Sequence, residues 1–302
     1  MVKVFIDGSS GTTGLRIHER LQKRDDIELI RLEESLRKDP TSRRQALNQA
    51  DIAFLCLPDA ASVEAVSMVD TDTVIIDTST AHRTNDAWAY GFPEIKGFRE
   101  KIASSKRIAN PGCHASGFIA LVAPLVENGI LKKDSILSCT SLTGYSGGGK
   151  KMIEQYEMSN DANLRAPRAY GLTQKHKHIP EMMKVCGLKQ QPTFCPVVAP
   201  YYSGMEVIVS VVTDKMDEMK ETYRSYYVNG LVRFKETADE EGFMSAWAKT
   251  GRDDMEITVH GNGSNVLLIS RFDNLGKGAS GAAIQNMNIS MGVEETRGLI
   301  TE

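Results

Sequence analysis

Cys113 stands in a stretch whose residue types suit nucleophilic chemistry, NPGCHASG at positions 110–117. The Pro-Gly pair indicates a tight turn, and the apolar run from His114 to Val126 predicts a helix. Backbone N–H groups and the macrodipole at a helix N-terminus favour negative charge, and cysteines placed there have lowered thiol pKa values. Two interpretations of Cys113 stay open: a reactive thiolate, or one more buried, small hydrophobic side chain.

Two histidines form the second group that could do chemistry. His176 and His178 lie two residues apart, and a proline follows them two residues later. Side chains two residues apart share a face only where the chain is extended. The proline disfavours helix just before it, which is consistent with an extended segment here. A His-x-His pair can bind metal, but no third ligand is evident, so no metal site is predicted. The alternative for His176 and His178 is a purely structural role. We interpret His82, His114 and His260 as structural or exposed histidines.

A glycine-rich turn near the N-terminus has the layout of a pyrophosphate site. An apolar strand from Val2 to Ile6 leads into DGSSGTTG at positions 7–14, and a helix is predicted from Thr12 to about Lys23. Glycines let the backbone approach the phosphates, whose charge then meets the helix N-terminus. The spacing is G-x-x-G-x-x-G rather than the commoner G-x-G-x-x-G, so three glycines in an ordinary loop remain the alternative.

The next strand, Ile27 to about Arg31, ends where a Rossmann fold contacts the adenosine ribose. An acid there favours NAD, whereas an arginine accommodates the 2′-phosphate of NADP. Arg31 therefore favours NADP, with Arg37 or Lys38 as helpers, and Glu33 keeps NAD as the weaker option. A solvated charged loop is the alternative for all of them.

Strands and helices then alternate in the way a doubly wound parallel sheet requires. Apolar runs at 51–58 and 73–77 predict buried strands, with a helix from about Ala60 to Val69 between them. LPDA and DTSTAHR follow these strands, at the sheet edge where such folds bind ligands. Arg83 is a candidate anion binder in the second of these loops, or a surface arginine.

The second half of the chain predicts a different sheet. Strands are expected at 135–141, 194–199 and 205–213, with helices at 217–227 and 276–291. Such a pattern favours a mixed or antiparallel sheet with helices packed on it, so two domains of different architecture are expected.

Composition excludes several classes of function. The 302 residues are 41% hydrophobic and 25% charged, with a formal net charge of −3, so neither nucleic acid nor an anionic membrane is an expected partner. No apolar run approaches the length of a membrane span, and the first residues resemble a strand rather than a signal peptide. Five scattered cysteines without a C-x-x-C pair fit reduced thiols, and we expect a cytoplasmic protein.

The motifs occur in an order that resembles one family. GSSGTTG, ADIAFLCLPDAAS, VIIDTSTAHR, YGFPEI, ANPGCHASG, TGYSGGGK, QKHKHIPE and DNLGKGASGAAIQNMN together are similar to the N-acetyl-gamma-glutamyl-phosphate reductases, within the semialdehyde dehydrogenase superfamily. The resemblance covers nearly the whole chain and is nearest to the shorter branch. One departure is the loop around Thr41 to Gln49, which lacks the layout of the longer forms.

The resemblance implies a fold and a reaction. It implies a Rossmann-like NADP domain of residues 1–112 plus about 276–302, and a catalytic and oligomerisation domain of residues 113–275. The expected reaction is NADPH-dependent reduction of N-acetyl-gamma-glutamyl phosphate through a thioester on Cys113, with His178 as the proton-transferring histidine. Homodimers or homotetramers are the expected assemblies.

The resemblance also implies which other residues contact the cofactor and the substrate. Expected cofactor contacts are Gly8, Ser10, Gly11, Thr12, Thr13, Gly14, Arg31, Ser79, Gly147 and Asn286. Expected substrate contacts are Arg83, Lys150, His176 and Glu181. An aspartate-semialdehyde dehydrogenase shares the fold and the cysteine–histidine chemistry and is the alternative enzyme. A non-catalytic nucleotide-binding module is the third hypothesis, and it would not need both Cys113 and His178.

Overall fold

The computed structural model describes all 302 residues, in two compact units. One unit comprises Met1–Pro111 and Ala279–Leu299, and the other comprises Gly112–Gly278 and Ile300–Glu302. The strands are β1 Val2–Asp7, β2 Ile27–Ile30, β3 Ile52–Leu55, β4 Val74–Asp77, β5 Ala89–Tyr90, β6 Arg107–Ala109, β7 Ser138–Gly144, β8 Arg168–Ala169, β9 Thr193–Ala199, β10 Met205–Val212, β11 Val232–Phe234, β12 Met255–Asn262 and β13 Asn265–Phe272. The α-helices are α1 Thr12–Leu21, α2 Pro40–Gln49, α3 Asp59–Ser67, α4 Phe98–Ser104, α5 Cys113–Glu127, α6 Gly149–Met158, α7 Ile179–Cys186, α8 Met216–Tyr226 and α9 Gly281–Met291.

The first unit contains a six-stranded sheet in the order β2-β1-β3-β4-β6-β5, and every pair of neighbours is parallel. Helices on both faces bury it, which explains why strand β3 is apolar at all four of its positions and buried at each. This confirms the prediction of a doubly wound sheet. Strand β2 lies on one side of β1, and the next strand along the chain, β3, lies on the other side. The strand order therefore reverses at β1, and such sheets bind ligands at the carboxyl end of the strands at this point.

The second unit contains a seven-stranded mixed sheet in the order β11-β12-β13-β10-β7-β9-β8. Strand β10 pairs antiparallel with β7 and β13, whereas β7 and β9 pair in parallel. Helix α5 lies on this sheet at Gly117, where an added Cβ would come within 2.4 Å of Val207 Cγ2. The predicted mixed sheet is therefore confirmed.

One sequence prediction was wrong. The segment expected to be a loop at Thr41 to Gln49 is helix α2, because Asp39 caps it and Pro40 occupies its first turn. The Asp39 carboxylate accepts a hydrogen bond from Ser42 N at 2.7 Å, and proline at the first position costs no intrahelical bond.

The final predicted helix is also not uniform. Gly276–Ser280 forms a wider turn of π-helical type, and the regular helix α9 begins only at Gly281.

No helix in the structure combines the length and apolar character that crossing a bilayer requires.

Candidate active site

The glycine-rich turn after β1 depends on two of its glycines for steric reasons. Gly8 has φ +86°, and a Cβ there would lie 2.3 Å from the Cys56 carbonyl oxygen. A Cβ on Gly14 would lie 2.5 Å from the Gly8 carbonyl oxygen. Gly11 donates its N–H to the same Gly8 oxygen at 3.0 Å and is the residue that precedes α1. The turn therefore brings bare backbone to the N-terminus of α1, as an anion site requires.

A cleft of about 820 Å³ opens beside this turn in the same unit. Gly8 and Ser10 of the turn line it, and so do the basic residues Arg31, Arg37, Lys38 and Arg43. Glu33, the residue that favours NAD, is not among the lining residues. Asp7 and Glu34 also line the cleft, and Asp7 pairs with Arg43 at 2.9 Å. The glycine-rich turn with Arg31, Arg37 and Lys38 nearby fits a dinucleotide with an additional phosphate.

Thr12 and Thr13 form the first turn of α1. The Thr12 hydroxyl oxygen is buried and has no hydrogen-bond partner within the protein. A buried polar atom without a partner is costly, and a bound phosphate at the helix N-terminus would supply one. This observation is independent of the glycines and supports the same ligand.

Ser79 and Arg83 lie in the loop after β4, where both side chains hold the loop together. The buried Asp77 carboxylate accepts hydrogen bonds from Ser79 Oγ at 2.7 Å and bonds His82 Nδ1 at 2.6 Å. Arg83 is buried and donates from Nε to the Asn110 carbonyl and from Nη2 to the Thr78 carbonyl, each at 2.9 Å. Arg83 therefore steadies the backbone three residues before Cys113.

Asn286 lies in the interior of α9 and is fully buried. Its Nδ2 donates to the Gly91 carbonyl at 3.0 Å and to Asn110 Oδ1 at 3.1 Å. Its Oδ1 is buried without a hydrogen-bond partner. The amide nitrogen is thus committed to the protein, and only the carbonyl side of the amide remains for a ligand.

Cys113 is the first residue of α5 and is half-buried. The preceding N–H, that of Gly112, donates to Glu181 Oε2 at 3.1 Å, so α7 fixes the turn that leads into α5. A Cβ on Gly278 would come within 2.9 Å of the Cys113 Cβ, so only glycine fits beside the thiol. The predicted helix after the Pro-Gly turn is confirmed, and the thiol lies at the positive end of its macrodipole.

Three histidine rings form a cluster that includes His114, the second residue of α5. His178 immediately precedes α7, and its N–H donates to His176 Nδ1 at 3.2 Å. The rings of His176 and His178 are 4.8 Å apart, and the ring of His114 is 5.6 Å from that of His178. Burial lowers the pKa of His176 to about 4, and it lowers that of His114 to about 3. Both imidazoles are therefore neutral at neutral pH.

Gly147 lies in the turn between β7 and α6, Lys150 is the second residue of α6, and both are exposed. They belong to the same unit as Cys113, His176, His178 and Glu181, whereas Arg83, Ser79 and Asn286 belong to the first unit. No group of three or more His, Cys, Asp or Glu side chains is arranged to hold a metal ion.

Two residues that contact His176 or His178 were not predicted as site residues: His114, interpreted as structural, and Tyr170. His114 bridges Ser141 and Tyr170 with both ring nitrogens, and Tyr170 is thereby placed next to the cluster. Only the position of His114 directly after Cys113 could have indicated a role. Nothing in the sequence near Tyr170 marks it.

Comparison with known proteins adds family membership. Residues 3–105 match the family model described as semialdehyde dehydrogenase, NAD binding domain, and residues 113–274 match semialdehyde dehydrogenase, dimerisation domain. Among solved structures, aspartate semialdehyde dehydrogenase II from Vibrio cholerae aligns with a TM-score of 0.71 at 17% identity, over 96% of this chain and 98% of that one. At that identity the likeness shows the fold.

Curated relatives are much more similar in sequence. An N-acetyl-gamma-glutamyl-phosphate reductase from Brucella ovis is 43% identical, over 96% of this chain and 99% of the relative. The enzyme named N-acetyl-gamma-glutamyl-phosphate reductase 2 from Nostoc sp. is 42% identical, over 98% and 99% of the two chains. Identity of this order over almost the full length of both chains shows that the protein belongs to the N-acetyl-gamma-glutamyl-phosphate reductase family of semialdehyde dehydrogenases.

Proposed function

We propose that the protein reduces N-acetyl-gamma-glutamyl phosphate to N-acetylglutamate 5-semialdehyde with NADPH, releasing phosphate, as a step of arginine biosynthesis. Membership of the reductase family supports the substrate. The observation that carries the chemistry is the position of Cys113 as first residue of α5, with Glu181 of α7 bonded to the preceding N–H. A thiol so placed is suited to attack an acyl phosphate.

Cys113 is the proposed nucleophile. Its thiolate sulfur attacks the acyl carbonyl carbon, a C–S bond forms, and the C–O bond to phosphate breaks with phosphate taking the electron pair. N–H groups of the first turn of α5 have no intrahelical acceptor and stabilise the oxyanion of the tetrahedral intermediate. His178 takes the thiol proton and later returns a proton to the sulfur as the aldehyde leaves.

The first unit is the proposed cofactor domain, and the second is the proposed catalytic and oligomerisation domain. The Gly8, Gly11 and Gly14 turn, with Ser10, Thr12 and Thr13, would hold the pyrophosphate, and Arg31 would bind the 2′-phosphate. When bound, NADPH supplies the hydride that reduces the thioester. Ser79, Gly147 and Asn286 are further proposed cofactor contacts, and the carbonyl side of the Asn286 amide is the part left for a ligand.

Arg83, Lys150, His176 and Glu181 are the proposed substrate contacts. The contacts within the protein favour different tasks for them. Lys150 is exposed and suits an anionic group of the substrate, whereas Glu181 holds the Gly112 N–H and supports the turn before Cys113. Burial keeps the His176 imidazole neutral, so it offers the substrate a hydrogen bond rather than a charge.

The proposed assembly is a homodimer or homotetramer in the cytoplasm. The match of residues 113–274 to a dimerisation domain supports self-association. Sedimentation velocity at several protein concentrations measures the assembly, and a monomer at all of them would contradict it.

One assay tests the substrate. With NADP and phosphate, the protein is offered either N-acetylglutamate semialdehyde or aspartate semialdehyde, and NADPH absorbance is followed. The proposal predicts preference for the acetylated compound. Preference for the aspartate compound would identify an aspartate-semialdehyde dehydrogenase, whose fold this chain shares, and turnover of neither would favour a nucleotide-binding module.

A further inference from the structure

His114 follows Cys113 directly and has a hydrogen-bond partner at each ring nitrogen. Its Nδ1 lies 2.7 Å from Ser141 Oγ in β7, and its Nε2 lies 2.7 Å from the Tyr170 hydroxyl, just after β8. The side chain is 2% exposed. The imidazole therefore connects the start of α5 to strand β7 and to the residue that follows β8.

Aromatic rings surround the same imidazole on its remaining sides. The ring centroids of His176 and Phe194 each lie 5.5 Å from that of His114, and the ring of His178 lies 5.6 Å away. The contacts with His176 and Phe194 are edge-to-face. A ring that is hydrogen-bonded at both nitrogens and packed against other rings has a restricted orientation, and its neighbours pack against it.

We propose that His114 is a positioning residue for the reaction at Cys113, holding the hydroxyl of Tyr170 and the rings of His176 and His178 in their working arrangement. The chemical meaning of this role rests on the proposed function. Because it is neutral, the imidazole offers one N–H donor and one acceptor and adds no charge beside the thiolate.

Tyr170 bonds at 2.7 Å to His114, the residue that follows Cys113 in the first turn of α5. Burial and the nearby charge of Cys113 raise the pKa of Tyr170, so its hydroxyl keeps its proton within electrostatic reach of the sulfur. If His114 carries its proton on Nε2, it donates to Tyr170, whose own O–H is then directed elsewhere. If the proton is on Nδ1, it donates to Ser141, and Tyr170 donates to Nε2. In either tautomer the phenol is held in place.

Three substitutions separate the two hydrogen bonds. His114→Gln places an amide near the position of Nε2 and can keep the Tyr170 contact, whereas His114→Asn places it near Nδ1 and keeps only Ser141. His114→Phe keeps a ring and removes both bonds. The readout is the rate of Cys113 alkylation by iodoacetamide from pH 5 to 9, followed by peptide mass, with NADPH binding as the control for folding.

Alkylation at pH 7 should be about tenfold slower in the Phe and Asn variants, the size of one lost buried hydrogen bond, and His114→Gln should recover most of the rate. Tyr170→Phe should slow alkylation by a similar factor, and the His114→Phe/Tyr170→Phe double variant no further, because both changes remove the same contact. Additive losses in the double variant, equal rates for Asn and Gln, or a normal rate in His114→Phe would each overturn the proposal.

The alkylation readout needs no substrate, so it separates this inference from the proposed function. If the wild-type protein turns over neither semialdehyde while the alkylation pattern holds, the substrate assignment fails and the positioning role stands. If turnover is normal and the pattern is absent, the positioning role fails alone. Should His114→Phe not fold, Tyr170→Phe and Ser141→Ala give a second test, because both leave the imidazole intact. Tyr170→Phe should slow alkylation, whereas Ser141→Ala, which keeps the Tyr170 contact as His114→Gln does, should slow it much less.

Discussion

At the scale of single residues, charged side chains bond to the main chain of Asn110 and Gly112, just before Cys113. Within the second unit Glu181 accepts the Gly112 N–H, and within the first unit Arg83 donates to the Asn110 carbonyl. Charge-assisted hydrogen bonds of this kind are stronger than neutral ones, particularly where water is excluded. Each bond thus restrains the main chain of its own unit beside the Pro-Gly turn.

We expect Glu181→Ala to weaken both stability and catalysis. It leaves the buried Gly112 N–H without its carboxylate acceptor, which costs about 1–3 kcal/mol of unfolding free energy. Glu181→Gln keeps an acceptor oxygen and should lose much less. Urea unfolding and kcat measure the two effects, and equal losses in both variants would show that the charge, not the hydrogen bond to the turn, matters.

Replacing Arg31 tests whether this residue recognises the 2′-phosphate of NADPH. Arg31→Ala should raise the KM for NADPH by about tenfold or more, as expected for a lost charge-assisted bond, and leave the KM for NADH nearly unchanged. Arg44→Ala is the matched control, because Arg44 pairs with Asp70 and does not line the cleft. A similar rise for NADPH and NADH, or none for either, would remove Arg31 from 2′-phosphate recognition.

At the scale of elements, the parallel sheet could be predicted from sequence and parts of the site could not. Buried parallel strands such as β3 are continuously apolar, and this pattern is local. Helix α2 was missed because its apolar positions are few and its start depends on the Asp39 cap. The contact of His114 with Tyr170 joins residues 56 positions apart, and sequence periodicity carries no information on it.

Substitution of Gly8 tests whether the glycine-rich turn after β1 binds the cofactor. Gly8→Ala places a methyl group 2.3 Å from the Cys56 carbonyl and adds strain at φ +86°, so NADPH affinity should fall by more than about tenfold and stability by several kcal/mol. Gly129→Ala is the control, because Gly129 also has positive φ, +73°, but no atom within 4 Å of the added Cβ. It should cost about 1 kcal/mol and leave binding intact.

Fluorescence titration with NADPH and thermal unfolding compare the two glycine variants. A Gly8→Ala variant that binds NADPH normally would contradict the assignment of this turn to the cofactor.

At the scale of the whole molecule, Glu206 sets a pH dependence of stability. Burial raises its pKa to about 7, against the opposing effect of the nearby Arg271 cation. The folded state therefore holds this proton more tightly than the unfolded state does. The resulting stabilisation is fully present below the unfolded pKa, near 4.5, and is lost as pH rises through about 7.

Glu206→Gln should remove this dependence. At pH 8 the variant should be more stable than the wild type by about 1–3 kcal/mol, and below pH 4.5 the two should be nearly equal. Urea unfolding at both pH values measures the difference. A variant less stable than the wild type at pH 8 would show that the Glu206 carboxylate is stabilised by its cationic neighbours rather than destabilised by burial.

The most direct test of the account is whether an acyl group forms on Cys113. The protein is mixed with NADP and N-acetylglutamate 5-semialdehyde without phosphate, and NADPH absorbance and peptide masses are recorded. We predict a burst of about one NADPH per chain, an N-acetylglutamyl group on the peptide containing Cys113, its discharge on adding phosphate, and none of these in Cys113→Ser. Turnover without a burst, or an acyl group on a different peptide, would contradict the thioester mechanism.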